Sequence, residues 1–294
     1  MSAAAGQGAG RFAPSPTGPL HLGSLLAATA SYLDARHHGI AWHVRLDDLD
    51  ELRNEPGAER AILRALERHG LHWDGPVTRQ SEHLDGYAAA LETLDAQGLL
   101  FYCRCSRRDL RGARVYPGTC RSHTRPRSNS AARIRVNDAV IGFADLVQGR
   151  QRHALASSTG DFVVRRRDGI VAYQLATAVD DGVPGITRVV RGRDLLEVTA
   201  PQIFLMRCLS LAVPAYGHIP LLRNEAGQKL SKQTHAPALD EAATGNLVQV
   251  LKVLGIDPGP EAAQRDCGSL LAEAVPRFSL AAVGGSDLRL PLPP

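Results

Sequence analysis

Aromatic residues are scarce, at 5% of this 294-residue sequence, against 44% hydrophobic and 22% charged residues. That balance suits a globular α/β chain. A signal peptide and a membrane span are both missing from the reading: Met1 to Gly10 is small and flexible, with no long apolar run behind it, so a cytoplasmic location is expected. No internal repeat is visible. Charge of one sign does not dominate, for the formal net charge is +4, carried mostly by arginine. Such a balance is compatible with a polyanionic partner and argues little for one by itself. Between Arg104 and Arg135 arginines gather with few acids, which fits either a phosphate-facing patch or a solvated loop. Cysteines number five, and the reducing conditions of the expected cytosolic location argue against disulfides. Cys103, Cys105 and Cys120 lie close together and read as a metal site, whereas Cys208 and Cys267 read as ordinary thiols.

The periodicities alternate between those of strands and helices. Arg11 to Pro14 reads as a short strand running into the Pro- and Gly-rich turn Ser15 to Pro19. A helix from about Leu20 or His21 to Gly39 follows, with Leu22, Leu25, Leu26, Thr29 and Leu33 on one face. Ile40 to Leu46 is the next strand, with Asp47 and Asp48 at its end. This β-turn-α-β unit is the building block of a parallel sheet. Further helices are expected at Gly57 to His69 and Asp85 to Gln97. The stretch 101–160, rich in cysteine and arginine, reads as an insertion with no long helix. The sheet pattern then resumes at Phe162 to Arg165, with a helix at Ala172 to Val179, a strand at Ile186 to Arg191 and a helix at Thr199 to Ala212. Beyond Ala238 come helices at Leu247 to Leu254 and about Leu270 to Val275. The domain reading is therefore 1–10 disordered, 11–100 and 161–238 as two halves of a nucleotide-binding domain, 101–160 as an insertion, and 239–294 as a short helical region.

Two motifs carry phosphate chemistry. Pro16-Thr17-Gly18-Pro19-Leu20-His21-Leu22-Gly23-Ser24 sits between a strand and a helix. A helix start offers unpaired N–H groups and a positive dipole end, a histidine there can donate to phosphate oxygens, and Gly23 leaves room for a flat base. Gly227-Gln-Lys229-Leu-Ser-Lys232-Gln-Thr carries two lysines flanking Leu-Ser. Their ammonium groups suit the charge that develops on a leaving pyrophosphate. Either motif alone has a bland structural account. Their ordered pairing on an α/β frame does not.

The chain resembles the class I aminoacyl-tRNA synthetases. His21-Leu-Gly-Ser24 is similar to their His-x-Gly-His signature with Ser24 in the last place, and Lys229-Leu-Ser-Lys232-Gln to their Lys-Met-Ser-Lys-Ser loop. Arg11-Phe-Ala-Pro-Ser-Pro-Thr-Gly18, Arg45-Leu-Asp-Asp-Leu-Asp50, Tyr173 in Ala-Tyr-Gln-Leu-Ala and Val190-Arg-Gly-Arg-Asp194 resemble the glutamyl branch. The resemblance runs from residue 11 to about 240. It implies an α/β Rossmann-type catalytic domain, ATP with Mg2+, and glutamate as the amino acid. His21, Lys229 and Lys232 are implied as catalytic, and His21, Gly23, Ser24, Lys229 and Lys232 as the ATP site. No large anticodon-binding region follows the Lys-Leu-Ser-Lys loop, and with the cysteine cluster this resembles the shortened glutamyl-queuosine paralogues. That likeness implies tRNA-independent activation of glutamate and its transfer to the queuosine base at the wobble position of tRNA(Asp). A truncated synthetase charging the tRNA 3′ end, and a silent RNA-binding paralogue, are the rival readings. A monomer is expected.

Glutamate brings two carboxylates and one ammonium, which calls for about two cationic forks and one acid. Arg11 and Arg191 are nominated as the forks, Tyr173 as a phenol donor and Asp47 as the partner of the ammonium. The run Arg11-Phe12-Ala13-Pro14-Ser15 is placed against the substrate by the resemblance. Asp47 stands where the family usually has glutamate, so its shorter reach puts a direct contact in question. For the metal, three thiolates and a fourth ligand make a closed tetrahedral zinc site of structural role. Chemistry alone nominates His123 as that ligand, while the resemblance points to Tyr116.

Overall fold

The computed structural model describes residues 8–183, 185–230, 239 and 242–289. The chain opens on strand β1 (Ala9–Phe12), helix α1 (Leu22–His37) and strand β2 (Ala41–Leu46). Gly39, at φ +63°, closes α1 in the left-handed conformation that glycine adopts without strain. Then come α2 (Ala58–Arg68), β3 (Thr78–Arg79), α3 (Leu84–Ala96), β4 (Leu100–Cys103), β5 (Ala131–Ile134), β6 (Val140–Asp145) and β7 (Gly149–Ala154). They are followed by α4 (Leu155–Ser158), β8 (Val163–Arg165), α5 (Tyr173–Asp181), β9 (Ile186–Gly192), α6 (Leu196–Cys208), β10 (Ala215–Ile219) and β11 (Leu222–Arg223). The chain ends on α7 (Ala243–Val253), α8 (Cys267–Arg277) and β12 (Leu288–Arg289).

Seven strands form the central sheet, in the order β3-β2-β1-β9-β10-β6-β7, parallel except for the edge strand β7. On one side α1 packs beneath α7 and α8, burying Leu25, Leu26, Leu33, Leu247, Leu251, Leu270 and Leu271 in one apolar cluster. A second cluster joins β5 and β6 to α5 and α6 through Ile134, Ile141, Leu175, Ile203 and Met206. From β1 the chain steps outward to β2 and β3. It later returns to β1's other flank as β9. Strand order therefore reverses at β1, and a crevice opens outside the carboxyl ends of β1 and β9, the place where doubly wound sheets bind ligands.

The boundaries of the expected helices hold within a few residues, but three strand assignments change. The first strand starts at Ala9, so residues 9 and 10, read as part of a disordered start, are paired with β2. Within the segment 101–160, β6 and β7 are not part of a separate insertion, because β6 bridges β10 and extends the central sheet. Its alternation explains this: Ile141 is buried in the α6 cluster with Phe143 packed against it, while Val140 is exposed. Conversely, Val163–Arg165 does not resume the central sheet. It pairs antiparallel with β5, so that β4, β5 and β8 make a separate three-stranded sheet closed over Leu100, Ala132, Ile134 and Val164.

Candidate active site

His21 is the N-cap of α1, in extended conformation. Its Nδ1 accepts the Ser24 N–H at 3.2 Å, and its Nε2 lies 3.1 Å from Ser24 Oγ. With Nδ1 accepting, the ring proton sits on Nε2 and the ring is folded back over the first turn. Gly23 permits this, since a Cβ there would stand 3.1 Å from the imidazole and 3.5 Å from the Leu230 carbonyl oxygen. That second neighbour shows where the Lys229 segment lies. Leu230 N–H bonds the Leu222 carbonyl, Arg223 bridges Lys229, and Lys229 Nζ donates to Asp194 at 2.5 Å. The two motifs, about 200 residues apart in sequence, thus meet across the N-terminus of α1. Lys232 falls outside the described residues.

Between them lies a cavity of about 460 Å³. Its lining includes Arg11, Phe12, Ala13, Pro14 and Ser15 from the end of β1, His21, Gly23 and Ser24 from the start of α1, Asp47 after β2, Tyr173 opening α5, Arg191 near the end of β9, and Lys229. Every residue nominated from the sequence for the amino acid or the nucleotide, Lys232 apart, is therefore brought to one crevice at the sheet's switch point.

Arg11, Arg45, Asp181 and Arg191 are almost dry. Arg11 donates through Nε and Nη2 to both oxygens of Asp181, at 3.0 and 2.6 Å. Arg45 donates to Asp181 at 2.7 Å and to Asp47 at 2.8 Å. Burial works against ionisation of Asp181, yet Arg11 and Arg45 outweigh it and hold its carboxyl well below the usual range. For Asp47 the balance tips the other way: burial raises its carboxyl despite the Arg45 guanidinium beside it. Asp47 thus reaches the cavity already held by one arginine. Arg191 is 4% exposed. It donates to His218 Nε2, Thr199 Oγ1 and Gln202 Oε1, and its Nη1 is buried with no hydrogen-bond partner among the described residues.

The cysteine cluster lies apart, at the end of β4. The three Sγ atoms of Cys103, Cys105 and Cys120 sit within 4.8 Å of one another. Tyr116 Oη stands 3.4 Å from Cys103 Sγ and 3.9 Å from Cys105 Sγ, and also receives the Cys120 N–H at 2.7 Å. His123 is exposed and its ring nitrogens are not part of this group. Burial opposes ionisation of Cys120, but hydrogen bonds from the Arg104 backbone, Tyr116 and the neighbouring thiols bring it down to about 6. Three sulfurs and a phenol oxygen on one small centre, one sulfur readily ionised, form a donor set that fits a soft, four-coordinate divalent metal.

Residues 9–247 match the family described as tRNA synthetases class I (E and Q), catalytic domain. Glutamyl-Q tRNA(Asp) synthetase of Thiobacillus denitrificans is 51% identical over 274 residues, 90% of this chain and 91% of that protein. Its counterpart in Pseudomonas aeruginosa is 49% identical over 268 residues, 90% and 92% of the two chains. The chain belongs to the glutamyl-Q tRNA(Asp) synthetase branch of this class I family. The crystal structure of glutamate-tRNA synthetase from Elizabethkingia anophelis superposes with a TM-score of 0.82 at 25% identity, covering 97% of this chain and 68% of that one. A glutamate tRNA ligase from Elizabethkingia meningosepticum, in complex with its amino acid, gives 0.80 at 25% identity, with 97% and 67% covered.

Several groups in this synthetase's site escape a reading of the sequence. Asp180 and Asp181 close α5 and look like an ordinary polar helix end, yet both are buried. Arg45 alternates with apolar neighbours on β2 and could as well have faced solvent. Asp145 and His218 lie on strands, β6 and β10, that were not assigned to the central sheet. The usable signal for the acids was compensation, since buried arginines on β1 and β2 require carboxylates somewhere in the fold.

Proposed function

We propose that the protein activates glutamate with ATP and transfers it to the queuosine base at the wobble position of tRNA(Asp). The observation that carries the reading is the convergence of Arg11, Arg191 and Asp47 with His21 and Lys229 on one crevice at the sheet's switch point. The 49% and 51% identity, over 90% of this chain, to relatives named Glutamyl-Q tRNA(Asp) synthetase supports the choice of acceptor.

In the first step an oxygen of the α-carboxylate attacks the α-phosphorus of ATP in line. The bond to the β-phosphate breaks, giving glutamyl-adenylate and pyrophosphate, with Mg2+ entering as part of the nucleotide substrate. Arg191 and Arg11 hold the two carboxylates, Asp47 receives the ammonium and Tyr173 donates a phenol hydrogen bond. His21 and the lysines at 229 and 232 stabilise charge on the phosphates, so positioning and electrostatics supply the acceleration. In the second step a queuosine hydroxyl attacks the acyl carbon, loses its proton and expels AMP. Zinc held by Cys103, Cys105, Cys120 and Tyr116 supplies structural cross-linking and takes no part in either step.

The test is transfer of labelled glutamate, with ATP, to tRNA(Asp) with or without queuosine, with tRNA(Glu) as control. Label on the queuosine-containing tRNA alone is expected. Label on tRNA(Glu) would instead make the protein a 3′-end charging enzyme, and absence of label on every tRNA would leave a silent paralogue.

A further inference from the structure

Arg191 is gripped from three directions. Its Nε–H donates to His218 Nε2 at 3.1 Å, and its Nη2 donates to Thr199 Oγ1 at 2.8 Å and Gln202 Oε1 at 2.7 Å. Nη1 is the one guanidinium nitrogen that the described protein does not hold. Arginine has no lone pair to offer, so its bond to His218 exists only while Nε2 of that imidazole is unprotonated. The ring proton must then sit on Nδ1, which faces Asp145 Oδ2 at 2.5 Å. Thr199 Oγ1 lies 3.0 Å from the same Nε2, and its hydroxyl donates to the Leu195 carbonyl oxygen at 2.9 Å.

Asp145 is itself fixed. Its Oδ1 accepts the backbone N–H groups of Val147 (3.0 Å), Gln148 (2.8 Å) and His218 (3.1 Å). The side chains of Asp145 and His218 are both fully buried. Burial and the nearby Arg191 guanidinium lower the His218 imidazole despite Asp145, and Asp145 stays ionised through its hydrogen bonds to His218 and the backbone. The pair is therefore a carboxylate holding a neutral imidazole in one tautomer, the orienting logic known from hydrolytic triads. Here it is turned on an arginine rather than on a nucleophile, because the Thr199 hydroxyl beside Nε2 gives its proton to the Leu195 carbonyl oxygen.

We propose that Asp145 and His218 are a buried positioning dyad that sets the orientation of Arg191, leaving Nη1 for a substrate carboxylate. The inference rests on the reading of Arg191 as a glutamate anchor. Neither dyad member touches substrate. Each acts by keeping an acceptor, and never a donor, against the guanidinium.

Steady-state ATP–pyrophosphate exchange on the full chain tests this, with KM measured separately for glutamate and ATP. In Asp145→Asn the new amide can donate to Nδ1 and so turn Nε2 into an N–H facing Arg191. Glutamate KM is expected to rise by about tenfold or more while ATP KM moves by no more than about twofold. In His218→Gln an amide oxygen can accept from Arg191 with no tautomer to control, so most of the glutamate affinity is retained. In that background Asp145→Asn should then cost little. A glutamate KM unchanged by Asp145→Asn, an equal rise in both KM values, or an undiminished effect of Asp145→Asn in the His218→Gln background would overturn the dyad. If Asp145→Asn does not fold, His218→Leu, which removes the acceptor, must raise glutamate KM selectively or the proposal fails. Arg191→Lys separates the two levels: selective loss of glutamate affinity there, without any in the dyad variants, sinks the dyad alone. No loss in Arg191→Lys sinks the anchor reading beneath it.

Discussion

Asp181 answers two arginines at once, and that makes it the most demanding single residue of the site. Arg11 and Arg45, 170 and 136 positions away, both close on its buried carboxylate. Breaking a buried pair leaves uncompensated charge, so Asp181→Asn is expected to cost about 3–5 kcal/mol of stability, measurable by denaturant unfolding. The same group sets part of the acid limit. Its folded pKa is depressed, so its contribution is complete above the ordinary carboxylate value of 3.8 and is lost as pH falls below it. His218 acts with the same sign higher up. Its folded pKa lies below the ordinary 6.5, so unfolding takes up a proton and stability drains away as pH falls through that value. Asp47, whose carboxyl is raised, opposes both. The thermal midpoint should therefore fall from pH 7 towards pH 5, and His218→Gln should flatten that portion while leaving the loss below about pH 4 in place. Arg11 and Arg191 were legible in the sequence because a dicarboxylic substrate calls for cations. Asp181 and His218 were not, because what gives them meaning is a partner far away in the chain.

At the scale of elements, helices were read well and strand partners poorly. A helix closes its own hydrogen bonds, so the stripe Ile62 and Leu66 or the turn at Gly39 fixes it locally. A strand's identity is completed only by its neighbour. Val163–Arg165 has the β-rich composition of either sheet, and Tyr216-Gly217-His218 on β10 lacks the apolar alternation that would have announced it. The two-residue strand β12 was invisible for the same reason, yet it braces the hairpin that carries Lys229. It pairs with β11, and Asp287 just before it accepts the Leu221 N–H at 3.1 Å and Arg223 Nε at 2.7 Å, with Arg193 Nη1 3.3 Å away. Since Arg223 bridges Lys229 across the hairpin, Asp287 fixes the base from which that lysine reaches the cavity. Asp287→Ala should reduce the maximal rate of ATP–pyrophosphate exchange by about tenfold with glutamate KM little changed, because orientation of a charge-stabilising group is lost rather than substrate contact. Faster hydrogen exchange at the Leu221 and Leu222 amides should accompany it.

Across the whole molecule the cores are unequal. Two large apolar clusters involve the central sheet, one beneath α1, α7 and α8, the other against α5 and α6 and running into β4, β5 and β8. The segment between β4 and β5, residues 104–130, gives only Cys120 to a small buried cluster with Phe101 and Cys103 of β4, with Cys105 and Tyr116 against it. So small a core cannot hold a loop of that length by apolar burial, which is why small units of this kind lean on a metal or a cross-link. Arg133 stacked over the Tyr116 ring at 4.0 Å ties the loop to β5 but adds little on its own. On the proposed zinc site, a chelator should therefore expose the arginine-rich segment 104–130 to trypsin while the central sheet keeps its thermal transition. Cys120→Ser should behave as the chelated protein does, with less than one bound zinc per chain by elemental analysis. Because the cluster lies outside the cavity, glutamate-dependent exchange should fall much less than transfer to tRNA. Equal trypsin resistance with and without chelator would show that the loop is held by something other than the cysteines, and equal loss of both reactions would mean that the central sheet depends on the cluster too.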